Sequence, residues 1–320
     1  MPASLDATRC WFFFAGLAPC DVALEASRSA HYWAREIGKL GHRVKLIPPA
    51  YVKPFLRRGK NDANDARAIC EAASRPDMRF VPVKSEEQQA ALLLHTTRQL
   101  MIERRTALVN SLRAQLAEFG IIASKGMAHA RSLLKAVKED ADAMIHGLPE
   151  AIKGILRLVV GQIQDTDKAI FELDSKIKDW QTKSPQGQVL STVPGFGPLI
   201  TAAIAATASD PSVFRSGRDF AAWIGLVPKQ RSSGGKERLG RISKQGNPYL
   251  RKLLVLAAAT HLRWLHKWQG PLTVWVQQLL KRRPPKLVMI ALANKLARIA
   301  WAIMRTGEIY RTGPAPQTAA

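Results

Sequence analysis

Two aspartates stand three residues apart in the basic stretch RRGKNDANDARAI, residues 57–69. Positions three apart lie on one face of a helix, and two carboxylates this close repel each other unless a cation lies between them. Mg²⁺ suits Asp62 and Asp65 because it prefers hard oxygen ligands and keeps water molecules that a phosphate can replace. The alternative is that two acids in a first helical turn only complement the helix dipole.

A third carboxylate, that of Glu25, ends a predicted strand in CDVALEAS, residues 20–27. Parallel α/β sheets bind their ligands beyond the carboxyl ends of their strands. Asn61 is a typical N-cap residue, so the two aspartates are expected to open the helix after the next strand. The sequence therefore predicts a metal site made by Glu25, Asp62 and Asp65. The cations expected to draw a polyanion towards this site are Arg57, Arg58 and Lys60.

A second candidate site is the loop in PKQRSSGGKERLGRISKQGNPYLRK, residues 228–252. Arginines that converge on a phosphodiester stabilise the extra negative charge of its transition state, and a serine hydroxyl beside them can act as a nucleophile. Ser232 and Ser233 are the candidates. The alternative is a solvated loop that only contacts a nucleic-acid backbone. The cations predicted to bind nucleic acid here are Arg231, Lys236, Arg238, Arg241, Lys244 and Arg251.

A G-x-G turn opens the small-residue helix in TVPGFGPLITAAIAA, residues 192–206. Backbone N–H groups exposed at such a turn can hold a phosphate without reading sequence, as in helix-hairpin-helix elements. Gly195 and Gly197 are thus candidate nucleic-acid contacts. Tight helix packing is an equally good reason for these glycines.

The elements that must position the acids alternate in type. A strand ending at Glu25 is followed by the amphipathic helix SAHYWAREIGKLG, closed by Gly41, and by the strand HRVKLIPP, stopped by two prolines. This βαβ order predicts a parallel pair of strands within an α/β sheet.

Long helices follow from Ser85, where SEEQ offers a capping box. Apolar residues at helical spacing predict a first helix that ends at Gly120: Leu93, Leu100, Leu108, Leu112, Leu116 and Phe119. A second series follows steps of four and three for four heptads: Ile152, Leu156, Val159, Ile163, Thr166, Ile170, Leu173, Ile177 and Trp180. This pattern predicts a coiled coil whose partner is either the first helix or a second subunit, with an ordinary bundle helix as the alternative. KSPQGQ, residues 183–188, then predicts a break.

Charge indicates an anionic partner. The 320 residues contain 48 Lys and Arg against 25 Asp and Glu, a formal net charge of +23. Residues 181–320 alone carry 21 cations and four acids. A polyphosphate backbone is the commonest partner for so much charge, and a merely basic or ribosome-associated protein is the alternative. Three cysteines without metal-ligand spacing favour a reducing cytoplasm, and neither a signal peptide nor a membrane span is expected.

Several motifs together resemble the insertion-sequence transposases called the IS-one-ten family, which also contains the Piv and MooV DNA invertases. The resemblance covers residues 10–310. The motifs that carry it are LEAS, KNDANDA, VPGFGPL, FAAWIGLVPKQRSSGG, GRISKQGNPYLRKLL and ALANKLARIAW.

This resemblance implies an α/β plus α fold with a partial RuvC-like or RNase H-like domain, a coiled-coil insertion and a mostly helical C-terminal domain. The expected ranges are 1–84 for the acidic DEDD domain, 85–182 for the long helices, 183–310 for the serine-bearing transposase domain and 311–320 for a disordered tail.

The resemblance also implies roles for individual residues. Glu25, Asp62 and Asp65 correspond to the second, third and fourth acids of a Mg²⁺ site. Ser233 corresponds to the nucleophile that attacks a DNA phosphate, with Ser232 as the adjacent alternative. The implied partners are double-stranded DNA of the element ends and target, a structured guide RNA and further copies of the chain in a homodimer or homotetramer.

One part of the family pattern has no counterpart. The family's first aspartate lies on an opening strand tens of residues before the glutamate, whereas only 24 residues precede Glu25. Asp21 is about 13 Å away along a strand, at ~3.3 Å per residue, too far to share an ion with Glu25. The domain is therefore expected to lack its opening strands, with CWFFFAGL forming a helix whose apolar face is partly uncovered. The alternative functions are a truncated, inactive remnant that only binds nucleic acid and a junction nuclease that uses acids and water.

Overall fold

The computed structural model describes residues 7–56, 59, 61–139, 143–230, 232, 236 and 238–311. The chain divides into two compact units. The first contains residues 1–89 and 209–213, and the second contains residues 90–208 and 214–320. The three expected domain ranges stay a prediction, and residues 312–320 of the expected tail lie outside the described residues.

The first unit is a small α/β structure. Its elements are α1 (Ala7–Ala15), β1 (Asp21–Glu25), α2 (Ala30–Lys39), β2 (Arg43–Ile47), α3 (Pro49–Val52) and α4 (Asp62–Ala73), with 3₁₀ turns at Lys53–Phe55 and Pro211–Val213.

The predicted βαβ unit is confirmed. Strands β1 and β2 pair in parallel, with Glu25 opposite Ile47. Gly41 has a φ of 92°, a left-handed conformation that suits glycine and directs the chain from α2 towards β2. Val81 adds an antiparallel bridge by donating its N–H to Leu46 O over 2.7 Å. Helix α2 packs on one face of the pair, and α4 packs on β1 and β2.

Helix α1 leaves much of its apolar surface uncovered, as predicted. The exposed fractions are 41% for Trp11, 64% for Phe12 and 59% for Phe13. Edge-to-face contacts between neighbouring rings on the helix stabilise this aromatic surface without burying it.

The second unit is almost entirely helical in its described part. Helix α5 (Glu86–Ala117) leads into it, followed by α6 (Met127–Glu139), α7 (Ala143–His146), α8 (Glu150–Lys183), α9 (Pro185–Leu190), α10 (Pro198–Thr207), α11 (Gly217–Ile224), β3 (Pro228–Gln230), β4 (Leu239–Ile242), α12 (Pro248–Arg263), α13 (Pro271–Leu280) and α14 (Pro285–Thr306), with a 3₁₀ turn at Leu265–Lys267.

The predicted capping box at the start of α5 is confirmed. Ser85 Oγ accepts the N–H of Gln88 over 3.2 Å, and Gln88 Oε1 accepts the N–H of Ser85 over 2.9 Å. These reciprocal bonds satisfy two of the N–H groups that a helix start leaves without intrahelical partners.

Helices α5 and α8 run antiparallel. Arg98 and Arg105 on α5 form ion pairs with Asp174 and Asp167 on α8, the second over 2.7 Å. An apolar cluster continues the contact further along both helices and includes Leu112, Leu116, Leu156, Val160 and Ile163. Of the two predicted partners for the α8 pattern, α5 is therefore the one that packs on it within the chain.

Two leucines of the apolar series on α5 are exposed. Leu93 is 64% exposed and Leu100 is 57% exposed. The buried face of this part of α5 instead contains Ala91 and His95, which are 2% and 3% exposed. The predicted helix is present, but its buried face is offset from Leu93 and Leu100.

Helix α14 is the centre of the C-terminal core and packs against α11, α12 and α13. By length and composition alone it could cross a membrane. Leu292, Leu296 and Ala300 are nevertheless fully buried within the unit. The predicted break before this region is a helix corner, where Ser184 Oγ accepts the N–H of Gly187 and begins α9.

His95 makes the stability of the second unit sensitive to pH. Burial lowers its pKa to about 4; the charge of Arg98 acts in the same direction, and that of Asp174 opposes it. The unfolded chain therefore binds more protons than the folded chain between about pH 6.5 and pH 4, so stability falls as the pH decreases through that window. The full loss is on the order of 3 kcal/mol.

Urea denaturation at about pH 7 and about pH 4.5 measures this loss. His95→Gln is expected to reduce the difference between the two conditions. Tyr249→Phe is the matched control, because it removes the 2.9 Å hydrogen bond to His95 Nδ1 but leaves the imidazole buried. An equal pH dependence in wild type and His95→Gln would contradict the assignment.

Candidate active site and nucleic-acid interface

Glu25 is the last residue of β1, and its side chain is half-buried. The backbone leaves the sheet immediately afterwards, since Ala26 N–H still donates to Ile47 O but Ser27 N–H turns back to Glu25 O over 2.7 Å. The carboxylate thus lies at the carboxyl end of a parallel strand, the position predicted from the sequence.

The two aspartates open α4, as predicted. Asn61 is the N-cap, and its Oδ1 accepts the N–H of Asn64 over 2.8 Å. Asp62 is exposed, and Asp65 is half-buried. The buried Ala68 and Ala72 pack with Ile47 and Val52 and fix the helix on the sheet. Both carboxylates therefore lie in one helical turn that is anchored at its cap and along its buried face.

The described residues do not close into a complete metal site. Within them no group of three or more His, Cys, Asp or Glu side chains is placed to hold an ion. The donor chemistry fits a hard divalent cation, because two carboxylates share the first turn of α4 and the helix packs on the strand that ends at Glu25. The expected set of Glu25, Asp62 and Asp65 stays a prediction.

Asp21 forms ion pairs with two basic residues of β2. Its carboxylate accepts hydrogen bonds from Lys45 Nζ over 2.8 Å and from Arg43 Nε over 2.7 Å. The bond from Lys45, followed by that from Arg43, lowers the pKa of Asp21 below its ordinary value.

The serine loop connects the antiparallel strands β3 and β4. Pro228 pairs with Ile242 and Gln230 with Leu239, with a register shift between the two pairs. Ser232 Oγ accepts the N–H of Arg238 across the loop over 3.3 Å. Ser232 is therefore held by the opposite side of the loop.

Five predicted site residues lie outside the described residues. They are Arg57, Arg58, Lys60, Arg231 and Ser233. Their assignments remain predictions.

Four predicted cations extend along the hairpin and beyond it. Lys236, Arg238, Arg241 and Lys244 are all exposed. None of them has a carboxylate partner among the residues that the structure describes. Lys244 has a φ of 56°, an uncommon left-handed conformation for a residue with a Cβ. This arrangement supplies positive charge that no acid of the described chain neutralises.

Arg251 makes hydrogen bonds within the second unit. Its Nη1 donates to Ile224 O over 2.8 Å and to Gln245 O over 3.1 Å, so it joins the end of α11 to the segment after β4. Gly225 and Gly246 allow these two segments to cross, since a Cβ on either one would overlap backbone of the other segment. The geometry thus gives Arg251 a positioning role at the base of the hairpin.

The two glycines of the G-x-G turn differ in environment. Gly195 has a φ of 87°, and a Cβ there would lie 3.2 Å from Ala257 O on α12. Close packing therefore explains Gly195. Gly197 is exposed at the N-cap of α10, with open space around its Cα.

Sequence reasoning missed two features of the second unit. His95 Nδ1 lies 2.9 Å from the Tyr249 hydroxyl, which connects α5 to the start of α12. An exposed tryptophan, Trp264, lies under the ammonium of Lys267 at the end of α12. The alternation of aromatic and basic residues in RWLHKW was the available signal for the second feature.

Two models of transposase families match the sequence of this chain. A family model described as "Transposase IS116/IS110/IS902 family" matches residues 187–271. A DEDD transposase model of the IS110 type, described as "Transposase", matches residues 11–121. The first match contains the hairpin, and the second contains Glu25, Asp62 and Asp65.

Full-length relatives agree with these matches. The chain is 47% identical over 302 residues to a "Probable family 20 transposase" of Pseudomonas aeruginosa, which covers 94% of this chain and 88% of that protein. It is 40% identical over 298 residues to the "Transposase for insertion sequence element IS1328" of Yersinia enterocolitica, and this match covers 93% of the chain and 87% of that protein. The chain belongs to the IS110/IS116/IS902 family of insertion-sequence transposases.

Membership in this family indicates the general reaction. Transposases of insertion sequences cleave and recombine DNA, and a DEDD domain implies the use of a divalent metal. The basic surface of the second unit suits such a substrate.

Proposed function

We propose that this chain cleaves and rejoins DNA strands through a covalent serine intermediate at Ser233, with Mg²⁺ held by Glu25, Asp62 and Asp65. The observation that supports the proposal most is the basic loop between β3 and β4. There Ser232 is fixed to Arg238, and the described cations have no acidic partner. Such a loop attracts a phosphodiester and stabilises charge that develops on its oxygens.

Asn61 caps α4 and holds Asp62 and Asp65 on one helical face, while Glu25 adds a carboxylate from the end of β1. Mg²⁺ bound by such carboxylates supplies charge stabilisation at phosphate oxygens. The exposed position of Asp62 leaves room for the DNA phosphate and water molecules that complete a hard-ion site.

The reaction at the serine is a phosphoryl exchange. Ser233 Oγ forms a bond to phosphorus, the bond from phosphorus to a deoxyribose oxygen breaks, and the serine proton passes to solvent or to the leaving oxygen. The number of phosphodiester bonds is conserved, so attack by a new strand reverses the step and needs no nucleoside triphosphate. Lys236, Arg238 and Arg241 stabilise the added negative charge during both steps.

The partners follow from charge and family. The proposed substrate is double-stranded DNA of the element ends and target in the bacterial cytoplasm. A structured guide RNA is the proposed second nucleic acid, and the net charge of +23 is compatible with binding both. Joining two duplexes requires more than one active site, so the proposed assembly is a homodimer or homotetramer.

Cleavage is expected to depend on the two aspartates of α4. In an assay with plasmid DNA that carries the element ends, Asp62→Asn combined with Asp65→Asn is expected to lower strand cleavage on the order of 100-fold or more. Removing two of three anionic ligands weakens Mg²⁺ binding, and EDTA is expected to abolish cleavage by the wild type. The fold should persist, since Asn61 still caps α4.

Asp77→Asn is the matched control, because Asp77 is an exposed aspartate of the same unit. It is expected to cleave like the wild type. Wild-type cleavage by the double variant would contradict the metal assignment. Binding without any cleavage by the wild type would favour the inactive remnant, and metal-dependent nicking without covalent adducts would favour the junction nuclease.

A further inference from the structure

The corner between α12 and α13 carries two tryptophans in opposite environments. Trp268 faces inward, where its ring stacks on the buried His261 with centroids 5.5 Å apart and an interplanar angle of 11°. Trp264 faces outward, and 43% of its surface is exposed. The corner is therefore anchored by one indole and presents the other to solvent.

A lysine ammonium and a histidine ring lie beside the exposed indole. Lys267 Nζ lies 4.3 Å from the centroid of the Trp264 ring, and the His266 ring lies 5.9 Å away at an angle of 50°. Arg263, the last residue of α12, is also exposed. A cation this close to an indole face gains a favourable electrostatic interaction and limits the motion of both side chains.

Backbone hydrogen bonds fix this arrangement. Trp264 N–H donates to Thr260 O over 3.1 Å, and Trp264 O accepts the N–H of Lys267 over 2.8 Å. In a 3₁₀ turn, side chains three residues apart lie on the same side. Lys267 therefore stays beside Trp264 without help from a long-range contact, and a ligand meets a prearranged pair.

The chain segment that contains this corner is strongly basic. Residues 220–307 contain 17 lysines and arginines but a single acid, Glu237. Neither Arg263 nor Lys267 has a carboxylate partner within the described part of the chain. A planar apolar ring beside unneutralised cations fits a ligand that is both planar and anionic, which is the chemistry of a nucleotide.

We propose that Trp264 is a stacking site for an unpaired base of single-stranded nucleic acid, with Lys267 and Arg263 contacting the adjacent phosphates. The base is expected to come from a single strand, because stacking on neighbouring bases covers both faces of a base inside a duplex. Lys267 covers part of the indole, and the exposed remainder receives the base. The site rests on the proposed action on nucleic acid and adds to it a group that binds opened strands.

The test is equilibrium binding of short fluorescent oligonucleotides to the full chain, with eight thymidines, eight uridines and a DNA duplex as separate probes. Trp264→Leu is expected to weaken binding of the single strands on the order of 10-fold or more and to leave duplex binding unchanged. Trp264→Phe is expected to retain most of the affinity, because phenylalanine also stacks. Lys267→Ala is expected to reduce the salt dependence of log K by about 0.7.

Trp11→Leu is the matched control, because Trp11 is 41% exposed but has no cation over its ring within the described residues. It is expected to bind all three probes like the wild type. Photo-crosslinking with a 5-bromouracil oligonucleotide is expected to label Trp264 in the unmodified protein, which removes any dependence on the folding of a variant. The thymidine and uridine probes are then compared: the one whose binding Trp264→Leu weakens more identifies DNA or RNA as the source of the base.

Three results would overturn the proposal: wild-type single-strand binding by Trp264→Leu, an equal loss with the duplex, or crosslinking confined to other residues. The binding assay needs no strand cleavage. An inactive protein that still shows the Trp264 effect would therefore refute the proposed reaction alone, and an active protein without that effect would refute the stacking site alone.

Discussion

Ser233→Ala is expected to form no covalent protein–DNA adduct and to lose strand cleavage and joining on the order of 10³-fold or more, while it still binds DNA. The methyl group of alanine cannot displace an oxygen at phosphorus, and removal of a nucleophile typically costs this much. The cations of the loop remain in place, so the affinity for DNA persists. Adducts are measured by denaturing electrophoresis of labelled DNA, and binding is measured by filter retention.

Ser232→Ala is the matched control. Ser232 Oγ accepts the N–H of Arg238 across an exposed loop, and losing one such bond costs about 1 kcal/mol. Adduct formation is therefore expected to persist at a reduced rate. Adducts in Ser233→Ala together with none in Ser232→Ala would reverse the assignment of the two serines.

Gly246→Ala is expected to destabilise the second unit by about 4 kcal/mol or more. Gly246 has a φ of 78°, which disfavours any residue with a Cβ. A Cβ there would also overlap the carbonyl oxygen of Trp223, so the segment after β4 would have to move away from the end of α11. That movement separates Gln245 O and Ile224 O, the two oxygens joined by Arg251.

Gly161→Ala provides the comparison in the same unit. Gly161 lies within α8, and apart from its chain neighbours and the backbone of its own helix, no described heavy atom lies within 4 Å of the position of an added Cβ. Alanine is there expected to stabilise the protein by about 0.5–1 kcal/mol, because it favours the helix. Chemical denaturation measures both changes, and similar stability of the two variants would contradict the crossing geometry at Gly246.

The local elements of the fold could be predicted because their signals are local. Prolines and glycines bound β1, α2 and β2, and Ser85 with Gln88 marks the start of α5. These features depend on residues within one or two turns of each other. The parallel pairing then follows from the βαβ order, which permits few other arrangements.

Contacts distant in sequence could not be predicted in the same way. The exposure of Leu93 and Leu100 depends on which face of α5 meets its neighbours, and apolar spacing did not identify that face. Arginine is a residue type that commonly contacts phosphate, but Arg251 donates to two backbone carbonyl oxygens, which belong to residues 27 and 6 positions before it. Both outcomes depend on packing between elements.

The candidate site shows the same division. The cap at Asn61 and the shared turn of Asp62 and Asp65 were predictable from spacing alone. The separation between these aspartates and Glu25 depends on the chain between β2 and α4, which passes through α3 and a 3₁₀ turn. Spacing in sequence does not determine that path, and the described residues do not form a group of three metal ligands.

The most direct test of the proposed reaction is to identify the residue that becomes linked to DNA. Wild-type protein is trapped on plasmid DNA that carries the element ends, then digested with nuclease and trypsin and analysed by mass spectrometry. Residues 232–236 form one tryptic peptide with both serines, so fragmentation must separate them. A nucleotide phosphate on Ser233 is the expected result. A phosphate on Ser232 or on a tyrosine, or joined DNA strands without any protein adduct, would contradict it.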